Sequence, residues 1–391
     1  MEKNGRIVYN TAGSDRGSGK GKMDMIKRFG TAVLLALVLA LFLQSAALAE
    51  KTILMTFTGD CTLGSEETKR GNPTSFDSFA NEKGYDYFFA NFREMFANDD
   101  LTVVNLEGVL SDSPYNENKK KAFRFRGPAD FAKILTGSSI EACTLANNHT
   151  MDFGTPGMKN TQAALDAQDV AWFIGEKFYL HQHDGLTIAF VGLDSTRYNK
   201  MRNRLGEVFR NLKEAQGANA VVVCIHAGQE YRPKHEDSIT TIANKLVDSG
   251  ADLVIMHHPH VLQGIEVING RHVFYSMGNF VFGGNCEIKK NKKNSEITSL
   301  YTMVVQVRMT FSNEGKYLGQ QAVIYPAHIS DDPEANHYQP LRLRAADAGP
   351  VVEAIQRDTA FELPAVTEKD GLSLIELPYV PDTEETMMPE E

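Results

Sequence analysis

From residue 52 to about 276 the chain alternates two textures. Short continuous apolar runs, bounded by Gly, Asn, Asp and Pro, have the length of strands buried on both faces, and the segments between them carry apolar residues at helical spacing. The runs predict strands over 53–58, 101–105, 140–145, 187–193, 220–225, 253–256 and 273–276, and helices over 87–97, 128–136, 156–168, 203–217 and 236–249. Thr155-Pro156 and Gly127-Pro128 put proline in a first helical turn, where its missing N–H costs nothing. Strand and helix in alternation predict βα units and an α/β fold with a largely parallel sheet. Beyond residue 296 the pattern changes. Residues 300–311 and 318–325 read as two long strands around Asn313-Glu314-Gly315, a hairpin expected to complete a second sheet. Residues 285–296 read as a solvated loop, and 366–391, with eight acidic residues against one lysine, as a mobile tail.

Composition adds that a core is available: 42% of the 391 residues are hydrophobic and 23% charged, the usage of a globular protein. The formal charge is −10, and because residues 1–49 hold seven basic against three acidic side chains, residues 50–391 carry −14. Such a field repels polyanions at long range. It argues against a nucleic-acid partner and requires that any anionic ligand be held by local basic residues or by a metal. The uncharged run 31–43, preceded by Lys20, Lys22, Lys27 and Arg28 and followed by Ala47-Leu48-Ala49, has the anatomy of a secretory signal. Removal after Ala49 would leave a 342-residue exported chain in the periplasm, on the cell surface or outside the cell, whereas retention would leave a membrane anchor over 31–48. The expected organisation is therefore an extension over 1–49, a main domain over 50–330 and a C-terminal extension over 331–391. Of Cys61, Cys143, Cys224 and Cys286, the first three lie in or just beyond apolar runs and read as buried free thiols, not as a disulfide framework.

The chemistry gathers at strand ends. Five runs end in Gly59-Asp60, Asn105-Leu106-Glu107, Asn147-Asn148-His149, His226-Ala227-Gly228 and His257-His258-Pro259-His260. In an open α/β sheet the carboxyl ends of the strands border the ligand crevice, so residues distant in sequence converge there. A carboxylate from each of two strands, an amide oxygen and three imidazoles form a mixed O/N set suited to one or two divalent transition metals, with Mn, Fe and Zn all acceptable. A lone strand-end Asp is usually a helix cap and a lone His a satisfied half-buried residue. The same habit at five strand ends is not explained by capping. In His258-x-His260 alternate residues reach the same side, which turns His257 elsewhere. In Phe123-Arg124-Phe125-Arg126 the arginines share one face, and Arg126 is placed to fork onto a carboxylate or phosphate.

Five segments, TFTGDCTLG, VVNLEG, LANNHTMDFG, CIHAGQEY and ADLVIMHHPHVLQGIEVINGRHVFYSMGNFVFG, together resemble the CapA family of bacterial poly-γ-glutamate capsule synthesis proteins, relatives of the calcineurin-like metallophosphoesterases, and the Phe-Arg pair at Arg126 resembles a motif of that family. The resemblance covers about residues 52–284. It implies a four-layer α/β/β/α sandwich of two mixed sheets with a metal site at the strand ends. By motif, Asp60 resembles the first metal-binding aspartate, Glu107 the bridging carboxylate, Asn148 the amide ligand, and His226, His258 and His260 the imidazole ligands. His149 resembles the proton donor, with Asp152 fixing its tautomer. Glu230, four residues after His226, and Ser276 and Asn279 of the YSMGNF segment are expected near the ligand. Two departures stand out: Thr62 occupies the place of a phosphoesterase histidine, and the bridging residue is Glu107 where Asp is usual. The resemblance implies an exported metal-dependent hydrolase or transferase serving synthesis, release or transport of an anionic polymer such as poly-γ-glutamate, beside membrane capsule-synthase subunits. Two alternatives stay open: a non-catalytic polymer-binding component of such a synthase, and a general extracytoplasmic phosphoesterase.

Overall fold

The computed structural model describes residues 50–290, 294 and 296–382. The apolar run over 31–48, read above as signal or anchor, lies outside the described residues, and among those described no helix is long and apolar enough to cross a membrane.

In chain order the principal strands are β1 (Lys51–Thr62), β2 (Leu101–Leu106), β3 (Ala142–Thr144), β4 (Ala171–Phe173), β5 (Tyr179–His183), β6 (Leu186–Asp194), β7 (Ala220–His226), β8 (Leu253–His257), β9 (Ile265–Ile268), β10 (Arg271–Phe274), β11 (Asn279–Phe282), β12 (Tyr301–Phe311), β13 (Tyr317–His328), β14 (Thr367–Lys369) and β15 (Leu372–Glu376). The first sheet runs β14-β15-β13-β12-β1-β2-β3-β4, with β11 beside the end of β1. The second runs β9-β10-β8-β7-β6-β5. Both are mixed: β1, β2, β3 and β4 are parallel while β12 and β13 are antiparallel, and β6, β7, β8 and β10 are parallel between antiparallel edges β5 and β9.

The two-residue period of each strand splits its side chains between cores. On β7, Ala220, Val222 and Cys224 face the core between the sheets, while Val221, Val223 and Ile225 face the helices outside. On β2, Leu101 and Val103 face the same central core, and Val104 and Leu106 face outward on the first sheet. Strands buried on both faces must be apolar throughout, which is why they read as unbroken runs. Helices α1 (Phe76–Lys83), α2 (Arg93–Phe96), α3 (Ala132–Thr136) and α4 (Gly154–Asp166) cover the first sheet. Helices α5 (Ser195–Met201), α6 (Leu205–Glu214) and α7 (Asp237–Asp248) cover the second. The result is the four-layer α/β/β/α sandwich.

Three expectations are corrected. The hairpin of β12 and β13 does not complete the second sheet: β12 pairs with β1 from Lys51↔Phe311 to Phe57↔Val305, so it extends the first. The segment 87–97 is α-helical only over Arg93–Phe96, after a 3-10 turn that ends at Tyr87, because the adjacent Phe88 and Phe89 both bury fully, one stacking on Phe76 at 4.2 Å and the other lying 5.9 Å from Phe280. Ring packing outweighs helical hydrogen bonding there. The acidic stretch after 366 is not a tail as far as 382, since β14 and β15 add to the first sheet with Leu374, Ile375 and Leu377 buried and Glu368, Asp370 and Glu376 pointing to solvent. The surplus of acidic residues hides that apolar alternation. Helix α8 (Gly349–Gln356) adds Val351, Ala354 and Ile355 to the central core.

At the entry to β2, Asp99 is half-buried and accepts a hydrogen bond from Thr102 Oγ1 at 2.7 Å. Burial, with Glu141 and Asp100 adding like charge, raises its carboxyl from 3.8 to about 7 against the opposing hydrogen bonds. A carboxyl raised on folding supports the fold fully below its unfolded value, and that support is lost as pH rises through 7. Asp99→Asn, which keeps the acceptor, is therefore expected to stabilise at pH 8 by about 1–2 kcal/mol, after discounting for partial exposure, and not at pH 4. Thermal unfolding at the two pH values checks this; equal shifts at both would contradict it.

Candidate metal centre

The carboxyl ends of β1, β2, β7 and β8 meet across the sandwich. Cross-strand register brings Asp60 beside Asn105 and His226 beside His257. Gly59 allows the Gly278-Asn279 backbone to close on β1, and Asp60 N–H donates to Gly278 O at 2.9 Å. Glu107 N–H donates to Cys61 O at 2.7 Å, and Thr62 Oγ1 donates to Glu107 O at 2.7 Å. Thr62 thus serves the backbone that carries Glu107.

Within this frame Asp60, Glu107 and His226 offer ligand atoms within 4.8 Å of one another, and so do Glu107, His258 and His260. Glu107 belongs to both groups. Its Oε1 lies 3.5 Å from His226 Nε2, 3.8 Å from His149 Nε2 and 3.9 Å from His260 Nε2. His258 Nδ1 lies 2.9 Å from His226 Nε2, while its backbone N–H donates to Asp60 Oδ2 at 3.3 Å. Asn279 Oδ1 is 2.9 Å from His260 Nδ1, which anchors that nitrogen and leaves Nε2 facing Glu107. His258 and His260 converge by a different route from strand alternation: they sit in the turn after β8 with φ of 107° and 57°, the left-handed region that non-glycine residues seldom adopt. His257 points away and contacts Thr58 O at 3.1 Å, as its position required.

The residues fit a divalent cation. Both oxygens of the fully buried Glu107 lack a hydrogen-bond partner among the described residues, an arrangement that is costly for a carboxylate unless a cation joins it. Burial, with Asp60 adding like charge, raises the Glu107 carboxyl well above its ordinary value. For Asp60 burial acts upward, but the hydrogen bond from His260 and the charges of His257, His260 and His226 outweigh it and hold the carboxyl low. Burial lowers His226 strongly and His258 to about 4, so both present neutral imidazoles, the form that ligates. His260 rises to about 9 because Glu107, Asp60 and Glu230 overcome its burial.

His149 stands at the rim of the same centre. Its Nδ1 meets Asp152 Oδ2 at 2.6 Å, and that oxygen also accepts Phe125 N–H at 2.8 Å. The other Asp152 oxygen takes Lys121 Nζ, which also donates to Asn148 O at 2.8 Å. The Phe125 ring stacks on the imidazole at 4.1 Å between centroids. Burial lowers the His149 pKa despite Asp152.

The remaining candidates divide. Asn148 is exposed and lines a cavity with His226 and His258. Glu230 lies exposed at a cavity reaching His149 and His260. Ser276 is buried and accepts from Gly278 N–H at 3.2 Å, which shapes the turn leading to Asn279. Arg126 does fork onto a carboxylate, but that of Glu67, at 3.0 and 2.8 Å, with Nη1 on Ser111 O. Its guanidinium is committed within the fold and does not reach the centre. Two strand-end residues to which the sequence pattern assigns no role support the centre: Asn105 Nδ2 donates to Asp60 Oδ1 at 2.8 Å, and Asn147 Nδ2 donates to Asn105 Oδ1 at 3.0 Å. Lys121 carried no sequence signal beyond a loop charge.

Residues 54–284 match the family model described as the bacterial capsule synthesis protein PGA_cap. The chain belongs to this PGA_cap family. Within the family it is 32% identical over 220 residues to the "PGA biosynthesis protein CapA" of Bacillus subtilis (strain 168), covering 51% of this chain and 58% of that one. It is 29% identical over 252 residues to the "Capsule biosynthesis protein CapA" of Bacillus anthracis, covering 58% and 59%. A "probable polyglutamine synthesis accessory protein" of Mycobacterium tuberculosis (strain ATCC 25618 / H37Rv) is 24% identical over 212 residues, 46% of this chain and 55% of that one. The chain thus spans somewhat over half the length of the curated relatives it matches. The matched PGA_cap stretch contains each of the candidate ligands named above.

Proposed function

We propose that this PGA_cap chain is an exported, metal-dependent hydrolase or transferase acting on an anionic polymer of the poly-γ-glutamate type, beside membrane subunits of a capsule synthase. The observation that carries the reading is Glu107, a buried carboxylate shared by two potential ligand groups and faced on the same oxygen by an imidazole that belongs to neither. Asp60, Glu107, His226, His258 and His260 would hold the ion, with Asn148 as a further oxygen donor. A divalent transition metal held there supplies Lewis-acid polarisation and charge neutralisation for attack on a carbonyl or phosphoryl centre.

The protein's own part lies with His149 and its supports. Asp152 holds Nδ1–H and so leaves Nε2 directed into the centre, 3.8 Å from Glu107. Nε2 can take up a proton from a nucleophile and return it to a leaving group, and the Asp152 carboxylate stabilises the imidazolium in between. Lys121 fixes Asp152, and Phe125 shields one face of the ring from water. His149→Ala is expected to lower turnover of γ-glutamyl polymer or phosphoester about 10²–10⁴-fold with metal content unchanged. Steady-state kinetics beside metal analysis tests this, and full activity of the variant would remove His149 from the mechanism.

The use of the Thr62 hydroxyl on backbone supports a second reading, a polymer-binding synthase component in which the centre only holds carboxylates. It requires tight polymer binding that survives His149→Ala and no turnover by the parent chain.

A further inference from the structure

Two cavities reach the centre through different imidazoles, and no described residue lines both. One, of about 300 Å³, meets His149 and His260 and is walled by Phe125, Phe282, Lys69 and Lys289. The other, of about 480 Å³, meets His226 and His258 and holds Asn148, Ser195 and Lys200. His149, on the first cavity, and His226, on the second, approach the same Glu107 oxygen, at 3.8 and 3.5 Å, so one buried carboxylate backs both spaces without lining either.

Each cavity carries an uncommitted ammonium. Lys69, Lys289 and Lys200 make no ion pair among the described residues, whereas Lys290 is paired with Glu334 at 2.5 Å and Arg197 is held by Asp194. Glu230 is the carboxylate that opposes the lysines of the first cavity. On a chain whose residues 50–391 are strongly acidic, these lysines are the local attraction that an anionic ligand needs. The phenyl rings of the first cavity suit methylene groups between the charges.

From this we infer that the centre takes an internal segment of a linear polyanion, which enters by one cavity and leaves by the other, gripped through a carboxylate by Lys69 together with Lys289 on one side and by Lys200 on the other. The inference rests on the reading of the ligand as an anionic polymer. It assigns the site an interior mode: a site reading chain ends would need one flank closed around a terminal amine or carboxylate, and here both flanks hold space and positive charge.

The test is binding of poly-γ-glutamate to the full-length chain, comparing polymer with free ends and polymer with both ends chemically blocked. Equal affinities within about twofold are expected, and Lys69→Glu and Lys200→Glu should each weaken binding about tenfold. The milder Lys69→Ala and Lys200→Ala should weaken it in the same sense, which guards against misfolding of the charge reversals. Loss of binding on blocking the ends, or sensitivity to only one of the two lysines, overturns the interior mode while leaving the polymer as ligand. Absence of binding by either polymer overturns the polymer reading itself, and the interior mode falls with it.

Discussion

Glu107→Gln is expected to weaken metal binding by about 100-fold or more while leaving the metal-free protein at least as stable as its parent. The two effects have opposite signs because Glu107 does opposite things in the two states. In the metal-free fold its oxygens are buried without donors among the described residues, beside Asp60, so the carboxylate is a cost. With a cation it supplies the negative charge common to both ligand groups. Gln keeps the size of the side chain and removes the charge. Thermal unfolding with and without added Mn or Zn reads both effects: the metal-induced rise should vanish, with the metal-free midpoint unchanged or higher. A metal-free midpoint that falls by several degrees, or a retained metal-induced rise, would mean that Glu107 is a structural residue.

Gly59→Ala is expected to destabilise by about 3 kcal/mol or more and to lower metal content with it. A Cβ at 59 would lie 2.3 Å from Gly278 O and 2.9 Å from Asn279 C, both backbone atoms of the segment entering β11. Neither can yield by a rotamer change, so the β1 and β11 backbones must separate. That motion would draw Asn279 Oδ1 from His260 and break the Asp60 N–H bond to Gly278 O. Denaturant midpoints and metal analysis of the variant check it. A stability change under about 0.5 kcal/mol would show that this close approach is not needed.

What sequence reading could reach follows from which interactions are local. The doubly buried strands announced themselves because every position of β7 and β8 is apolar until the terminal histidines, and those histidines therefore stood out. Asp60 and Glu107 were legible for the same reason, as polar residues where an apolar run stops. The Asn105–Asn147 web was not, because its meaning depends on the register of β1, β2 and the loop after β3, which no single segment carries. Arg126 was misplaced toward ligand because its partner Glu67 lies 59 residues away, and a forked guanidinium reads alike whether its carboxylate belongs to protein or substrate. The convergence of His258 and His260 was foreseen from an extended geometry, yet it comes from two positive-φ residues, a conformation held by tertiary contacts such as those to Asp60 and Asn279. The acidic stretch after 366 shows the converse error, where charge outvoted the buried Leu374, Ile375 and Leu377.

The most direct test of a metal centre at these strand ends is elemental analysis of the purified full-length chain beside a His258→Ala/His260→Ala variant shown by circular dichroism to be folded. About one to two divalent transition ions per chain in the parent, absent from the variant, is the expected result. No bound ion in either protein, even after incubation with Mn, Fe or Zn, would contradict it.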